Sequence, residues 1–82
     1  MHQITLDELA ELLGEIIDLS GIKIDGAAVL GDDIPVDSRE MLRFLSHIES
    51  RYRFRFSPRE VLGFKTLGDV LQTVQQKASQ AS

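Results

Sequence analysis

Residues 51–56 read RYRFRF, arginine alternating with an aromatic through six positions. In isolation this is the pattern of a β-strand, whose successive side chains point to opposite faces, here one for stacking and one for phosphate. Working outward removes that reading. On the N-terminal side Leu42, Leu45, Ile48 and Tyr52 recur at helical spacing, with Phe44 flanking. Tyr52 therefore ends a helix and faces the core, and the chain leaves the helix near Arg53. Phe56 then anchors a linker, Phe54 is a partial anchor, and Arg51, Arg53 and Arg55 point outward. A lone six-residue strand would not be a stable platform. The stretch is a junction.

The helix that ends here starts at DSRE, 37–40, which offers Asp37 with Glu40 three residues on, or Ser38 itself, as the cap. Three further helices follow from the same signals. TLDE at 5–8 caps a first helix carrying Leu6, Leu9, Leu12, Leu13, Ile16 and Ile17, expected to run to about Asp18 and to stop at Ser20-Gly21. SPRE at 57–60 places Ser57 at a cap and Pro58 at the first helical position, and Gly63 ends that helix after little more than a turn. TLGD at 66–69 opens a last helix with the stripe Leu67, Val70, Leu71 and Val74, its first turn slightly weakened by Gly68. Between the first two helices, residues 21–37 lose the helical period. Gly21, Gly26, Gly31 and Pro35 punctuate them, while Ile22, Ile24, Val29, Leu30 and Ile34 are spaced to pin a loop onto a core. Loops this long in compact domains are usually functional. The expected fold is an all-α, small antiparallel four-helix bundle: three longer helices, one short one, and a long loop between the first and second. One domain spans 1–82, ordered over about 4–76 with a frayed tail at 77–82.

Composition narrows the function. The 82 residues include no cysteine, so no disulfide or intrinsic thiol chemistry is available. The N-terminus has neither a basic flank nor an uninterrupted apolar run, so neither a signal peptide nor membrane insertion is expected, and a cytoplasmic protein is. Net charge is −4, unevenly placed. Residues 1–38 carry nine acids against Lys23, whereas residues 39–59 carry all six arginines against Glu40 and Glu49. Opposite-sign faces of this kind steer charged partners.

Catalytic and metal-binding constellations are missing. His2 lies in a terminus and His47 off the apolar face, about 13 Å along one helix from Ser38 at 1.5 Å per residue, too far for direct proton transfer. Asp32, Asp33 and Asp37 fit no calcium-loop spacing and read as a solvated turn. The chain is expected not to be an enzyme and to hold no metal.

Ser38 stands out by position, beside Asp37 at the first turn of the second helix and directly after the long loop. A phosphate on its hydroxyl would meet free backbone N–H groups and the positive end of the helix dipole. On spacing alone, Ser38 also reads simply as an N-cap. At this point the chain resembles the acyl carrier protein family, over nearly its full length from ITLDELAELLGEIIDLSG to GFKTLGDVLQTVQ. The resemblance rests on Asp37-Ser38 with Leu30 and Ile34 before it, on Leu42, Leu45, Ile48, Tyr52 and Phe56 after it, and on FKTL at 64–67 opening the last helix.

The resemblance implies that Ser38 carries a 4′-phosphopantetheine arm delivered from coenzyme A by a separate Mg²⁺-dependent phosphopantetheinyl transferase. The arm's thiol would hold acyl groups as thioesters and present them to acyl-loading and acyl-transfer enzymes of lipid or fatty-acid biosynthesis. It further implies a monomer whose interior, at Leu42, Leu45, Ile48 and Leu67, shelters part of the acyl chain, and whose second helix is read by partners. The chain departs from the family in two ways. Arg39 replaces the leucine usual after the modified serine, and the usually acidic second helix shows Arg39 and Arg43 on one face, next to Met41, with Arg51 farther along. Since arginine does not substitute for a carboxylate, a specialised carrier with its own partners is expected, serving a dedicated lipid, a surface glycolipid or a secondary metabolite. An aminoacyl, peptidyl or polyketide carrier is the nearest alternative. A protein- or nucleic-acid-docking module using residues 51–55 is the alternative of another class, and the pI of about 5.0 and the absence of clustered lysines weigh against nucleic acid.

Overall fold

The computed structural model describes residues 3–80, so His2, considered above as a base, lies outside the described residues. Four helices follow in order: α1 (Leu6–Gly14), α2 (Ser38–Tyr52), α3 (Pro58–Leu62) and α4 (Leu67–Gln80). Each expected cap is formed. The hydroxyl of Thr5 accepts the Glu8 N–H, and Ser57 and Glu60 bond reciprocally at the start of α3. At α4 the N–H of Asp69 donates to Thr66 Oγ1 at 3.1 Å while Asp69 Oδ2 accepts the N–H groups of Lys65 and Thr66. These bonds satisfy helix-end donors that would otherwise have no intrahelical partner.

Two long-range hydrogen bonds fix α1 antiparallel to its neighbours. The Tyr52 hydroxyl at the end of α2 donates to Glu8 Oε2 near the start of α1, at 2.8 Å. Gln75 Nε2, well along α4, donates to the carbonyl of Ile4 at 2.9 Å. The core between the helices is Leu9, Leu12 and Leu13 from α1, Phe44, Leu45 and Ile48 from α2, and Leu67, Val70 and Val74 from α4, closed by Ile4, Ala28 and Ile34. The all-α antiparallel bundle expected from the sequence is the fold observed.

Several boundaries differ from expectation. α1 stops at Gly14 rather than near Asp18, because Glu15 and Ile16 donate three residues back, to Leu12 and Leu13, which tightens the last turn and ends the helix. α4 continues to Gln80, past the limit drawn at 76, and Lys77 lies 3.0 Å from Glu60 on α3. The long loop is not free of structure. Leu30 N–H donates to the Lys65 carbonyl, Leu67 N–H to Ala28 and Gly68 N–H to Gly26, so the loop runs as a short ribbon against the entry to α4.

α2 also corrects the expected core. Leu42 is 63% exposed, whereas Phe44 is fully buried and Met41 is half-buried against the core. At 3.6 residues per turn, positions 42 and 44 sit at opposite edges of the stripe set by 45, 48 and 52. The spacing alone admits either edge. The packing of α1 and α4 selects the one carrying Phe44.

Candidate functional site

The loop that α4 clamps delivers its end to the start of α2. Asp37 is the N-cap: its Oδ1 accepts the Glu40 N–H at 2.7 Å, and Glu40 Oε1 accepts the Asp37 N–H at 3.0 Å. The choice left open between Asp37 and Ser38 is thereby decided. Ser38 is the first helical residue, exposed, and its hydroxyl makes no hydrogen bond within the described residues. The N–H groups of Ser38 and Arg39 likewise find no acceptor there. A nucleophilic hydroxyl thus stands free beside unpaired donors and the positive end of a four-turn helix, which suits a phosphodiester linkage.

Beside this hydroxyl lies an open groove of about 200 Å³, lined by Leu30, Gly31, Val36, Asp37, Ser38, Met41 and Phe64. Its walls come from three places in the chain. Leu30 is held by the ribbon to Lys65, Gly31 turns the chain at φ +91°, and Val36 donates to Ile34, whose side chain is fully buried beneath. Phe64 arrives from the link between α3 and α4. Leu30, Val36 and Phe64 carry no sequence signal as a wall for Ser38, since no periodicity links a loop residue to a helix start.

The expected site residues separate into distinct places. Leu45, Ile48 and Leu67 are buried core residues and none of them lines the groove. Leu42, expected inside with them, faces solvent, and Met41, expected on the surface, forms part of the groove wall. Arg39, Leu42 and Arg43 share one exposed face at helical spacing. Arg51 lies elsewhere, in grooves shared with Glu8 and Glu11 of α1 and with Glu15 at its C-cap. Among the described residues none of the six arginines is within 4 Å of a carboxylate oxygen. His47 is half-buried, with Nδ1 3.5 Å from Glu15 Oε1. The loop carboxylates serve backbone turns: Asp33 Oδ2 accepts the Val29 N–H at 2.9 Å, and Asp25 accepts that of Ala27. Among the described residues no three His, Cys, Asp or Glu side chains gather as a metal site would require, and no helix is long and apolar enough to cross a membrane.

The family model for the phosphopantetheine attachment site matches residues 7–74. The meromycolate extension acyl carrier proteins of Mycolicibacterium aurum and Mycolicibacterium smegmatis are each 25% identical over 68 residues, covering 83% of this chain and 70% and 69% of theirs. The solution structure of the acetyl actinorhodin acyl carrier protein from Streptomyces coelicolor superposes with a TM-score of 0.76 at 22% identity, over 98% of this chain and 96% of that one, a likeness of fold.

Proposed function

We propose, for a chain that belongs to the phosphopantetheine attachment-site family of acyl carrier proteins, that Ser38 is its attachment residue and that it serves dedicated partner enzymes. Proteins of this family carry acyl groups on a covalent 4′-phosphopantetheine and act with partner enzymes. The observation that carries the assignment is the division of labour at 37–38. Asp37 takes the whole capping duty, which leaves the Ser38 hydroxyl exposed and unbonded beside the groove.

Attachment would proceed by attack of Ser38 Oγ on the β-phosphorus of coenzyme A. The phosphoanhydride bond breaks, 3′,5′-ADP leaves, and the hydroxyl proton passes to a base of the transferase. This chain's own part is to present the hydroxyl. Its N–H groups at 38 and 39 and the Arg39 guanidinium would then face the phosphodiester. When bound, the arm supplies the thiol that the cysteine-free chain lacks.

The partner surface is Arg39, Leu42 and Arg43: two unpaired cations flanking an exposed apolar side chain, one turn from Ser38. Such a face fits an enzyme surface with an apolar socket rimmed by carboxylates and repels one built for an acidic helix. The relatives named above work in meromycolate extension, and a specialised lipid or secondary-metabolite pathway accords with the basic face. Intact mass tests the attachment. Incubation with coenzyme A and a broad-specificity transferase should add one phosphopantetheine to the protein and none to Ser38→Ala. A wild-type protein that gains no mass overturns the assignment.

A further inference from the structure

Helix α3 supplies none of the buried core residues among the described residues. Val61 is half-buried against the core, while Leu62 is 85% exposed. Burial therefore contributes little to holding this helix in place. Its backbone bonds stay within residues 57–64: Val61 N–H donates to the Ser57 carbonyl, Gly63 N–H to Glu60 and Phe64 N–H to Val61. A polar tie to another helix comes from Glu60, whose Oε1 lies 3.0 Å from Lys77 Nζ on α4.

The same oxygen also accepts the Ser57 N–H at 2.7 Å, closing the cap that starts α3. The Ser57 N–H holds the Glu60 carboxyl below its usual range and Lys77 adds to this, so the group is charged at neutral pH. The Lys77 and Glu60 side chains are 23% and 32% exposed, against 90% and 45% for Lys23 and Asp25 in their pair. Water therefore screens the α3–α4 pair less. Formation of α3 and its attachment to α4 share one atom.

The far end of α3 runs into the groove beside Ser38. Phe64 follows the Gly63 cap directly, is bonded back to Val61 at 3.2 Å, and lines the groove with Leu30, Val36 and Met41. The next residue is fixed, since the Lys65 carbonyl accepts the Leu30 N–H at 2.9 Å. The Phe64 ring also meets Phe56, just before the Ser57 cap, edge-to-face at 5.2 Å. A displacement of α3 is therefore passed to Phe64, which stands between the helix cap and the clamped loop.

We infer that Glu60 and Lys77 are positioning residues: their ion pair latches α3 to α4 and thereby sets the Phe64 wall of the groove beside Ser38. The bearing of this latch on attachment rests on the reading of Ser38 above. The experiment uses the protein before any arm is added, so its outcome is separate from the mass test of that reading.

Backbone hydrogen exchange followed by NMR tests the latch. Lys77→Met keeps the apolar stem and removes the ammonium, and Glu60→Gln keeps an acceptor for the Ser57 N–H while removing the charge. Each should speed exchange at Val61, Gly63 and Phe64 by about two- to fivefold. The core amides of Phe44 and Ile48 should speed up by the same factor, because opening of α3 breaks the pair just as global unfolding does. Lys77 also lies in the last turn of α4, where the helix dipole favours a cation. The double variant isolates the pair, and its effect should be smaller than the product of the two single effects. Lys77→Arg should restore wild-type exchange. The methyl resonances of Leu30 and Val36, which share the groove with Phe64, should shift in both single variants through its ring current and return in Lys77→Arg. Unchanged exchange at the three α3 amides, or a double variant showing the full product, overturns the latch. Unmoved Leu30 and Val36 resonances overturn its hold on the groove.

Discussion

Gly68 and Gly26 meet backbone to backbone: the N–H of Gly68 donates to the Gly26 carbonyl at 2.9 Å, and a Cβ on Gly68 would lie 2.6 Å from that oxygen. The contact locks the long loop onto the first turn of α4 and so sets the height of Leu30 beside Ser38.

Replacing Gly68 by alanine brings two opposed effects. Helix propensity favours alanine by about 1 kcal/mol, but the new methyl group meets a backbone oxygen that cannot rotate away. Overpacking costs about 1–3 kcal/mol, and at 2.6 Å from a backbone oxygen the upper end of that range outweighs the propensity gain. Gly68→Ala should therefore lower the melting temperature by several degrees. Gly26→Ala, whose added Cβ finds its nearest neighbour at 3.9 Å, should change it much less. Thermal unfolding of the two variants side by side checks the assignment.

Stability separates Asp37 from Ser38. Asp37→Ala removes the cap and should cost about 1 kcal/mol, whereas Ser38→Ala deletes a hydroxyl with no hydrogen bond and should lie within about 0.5 kcal/mol of wild type. Denaturant titration measures both. A larger loss at Ser38 than at Asp37 would mean that the serine is the cap.

Tyr52 predicts an alkaline limb. Burial, and then its bond to the Glu8 carboxylate, push the phenol up from its ordinary value to about 12. A raised folded-state pKa means that the native protein holds the proton more tightly than the unfolded chain. This contribution is complete below about pH 10 and is lost as pH rises towards 12. Tyr52→Phe should be less stable at neutral pH by about 1 kcal/mol and show a flatter decline above pH 10. Denaturation midpoints across that range provide the readout.

Charge reversal at Arg39 and Arg43 addresses the partner face. Replacing both with glutamate should leave the fold intact, since neither pairs with a carboxylate within the described residues. Loading by the cognate enzyme should fall about tenfold or more at low salt, and the difference should narrow as salt screens the contact. Rates unchanged across a salt series would remove the arginines from recognition.

The helices and their order were legible in the chain because their signals are local. A cap acts over three residues and an apolar stripe over a few turns, so Thr5, Ser57 and Thr66 announced their helices, and Tyr52 with Ile48 turned RYRFRF from a strand into a helix end. Ser38 stood out for the same reason, by its place at a helix start after a long loop. What the local pattern left open was every choice that depends on a neighbour. Either edge of the α2 stripe satisfied the spacing, and only packing against α1 and α4 buried Phe44 and exposed Leu42. Asp37 and Ser38 were both competent caps, and the assembled turn gave the bond to Asp37. The groove wall of Leu30, Val36, Met41 and Phe64 joins residues up to 34 positions apart. Such a surface exists only once the loop is clamped to α4, because contacts between distant segments carry no period of their own and are fixed by the balance of packing over the whole core.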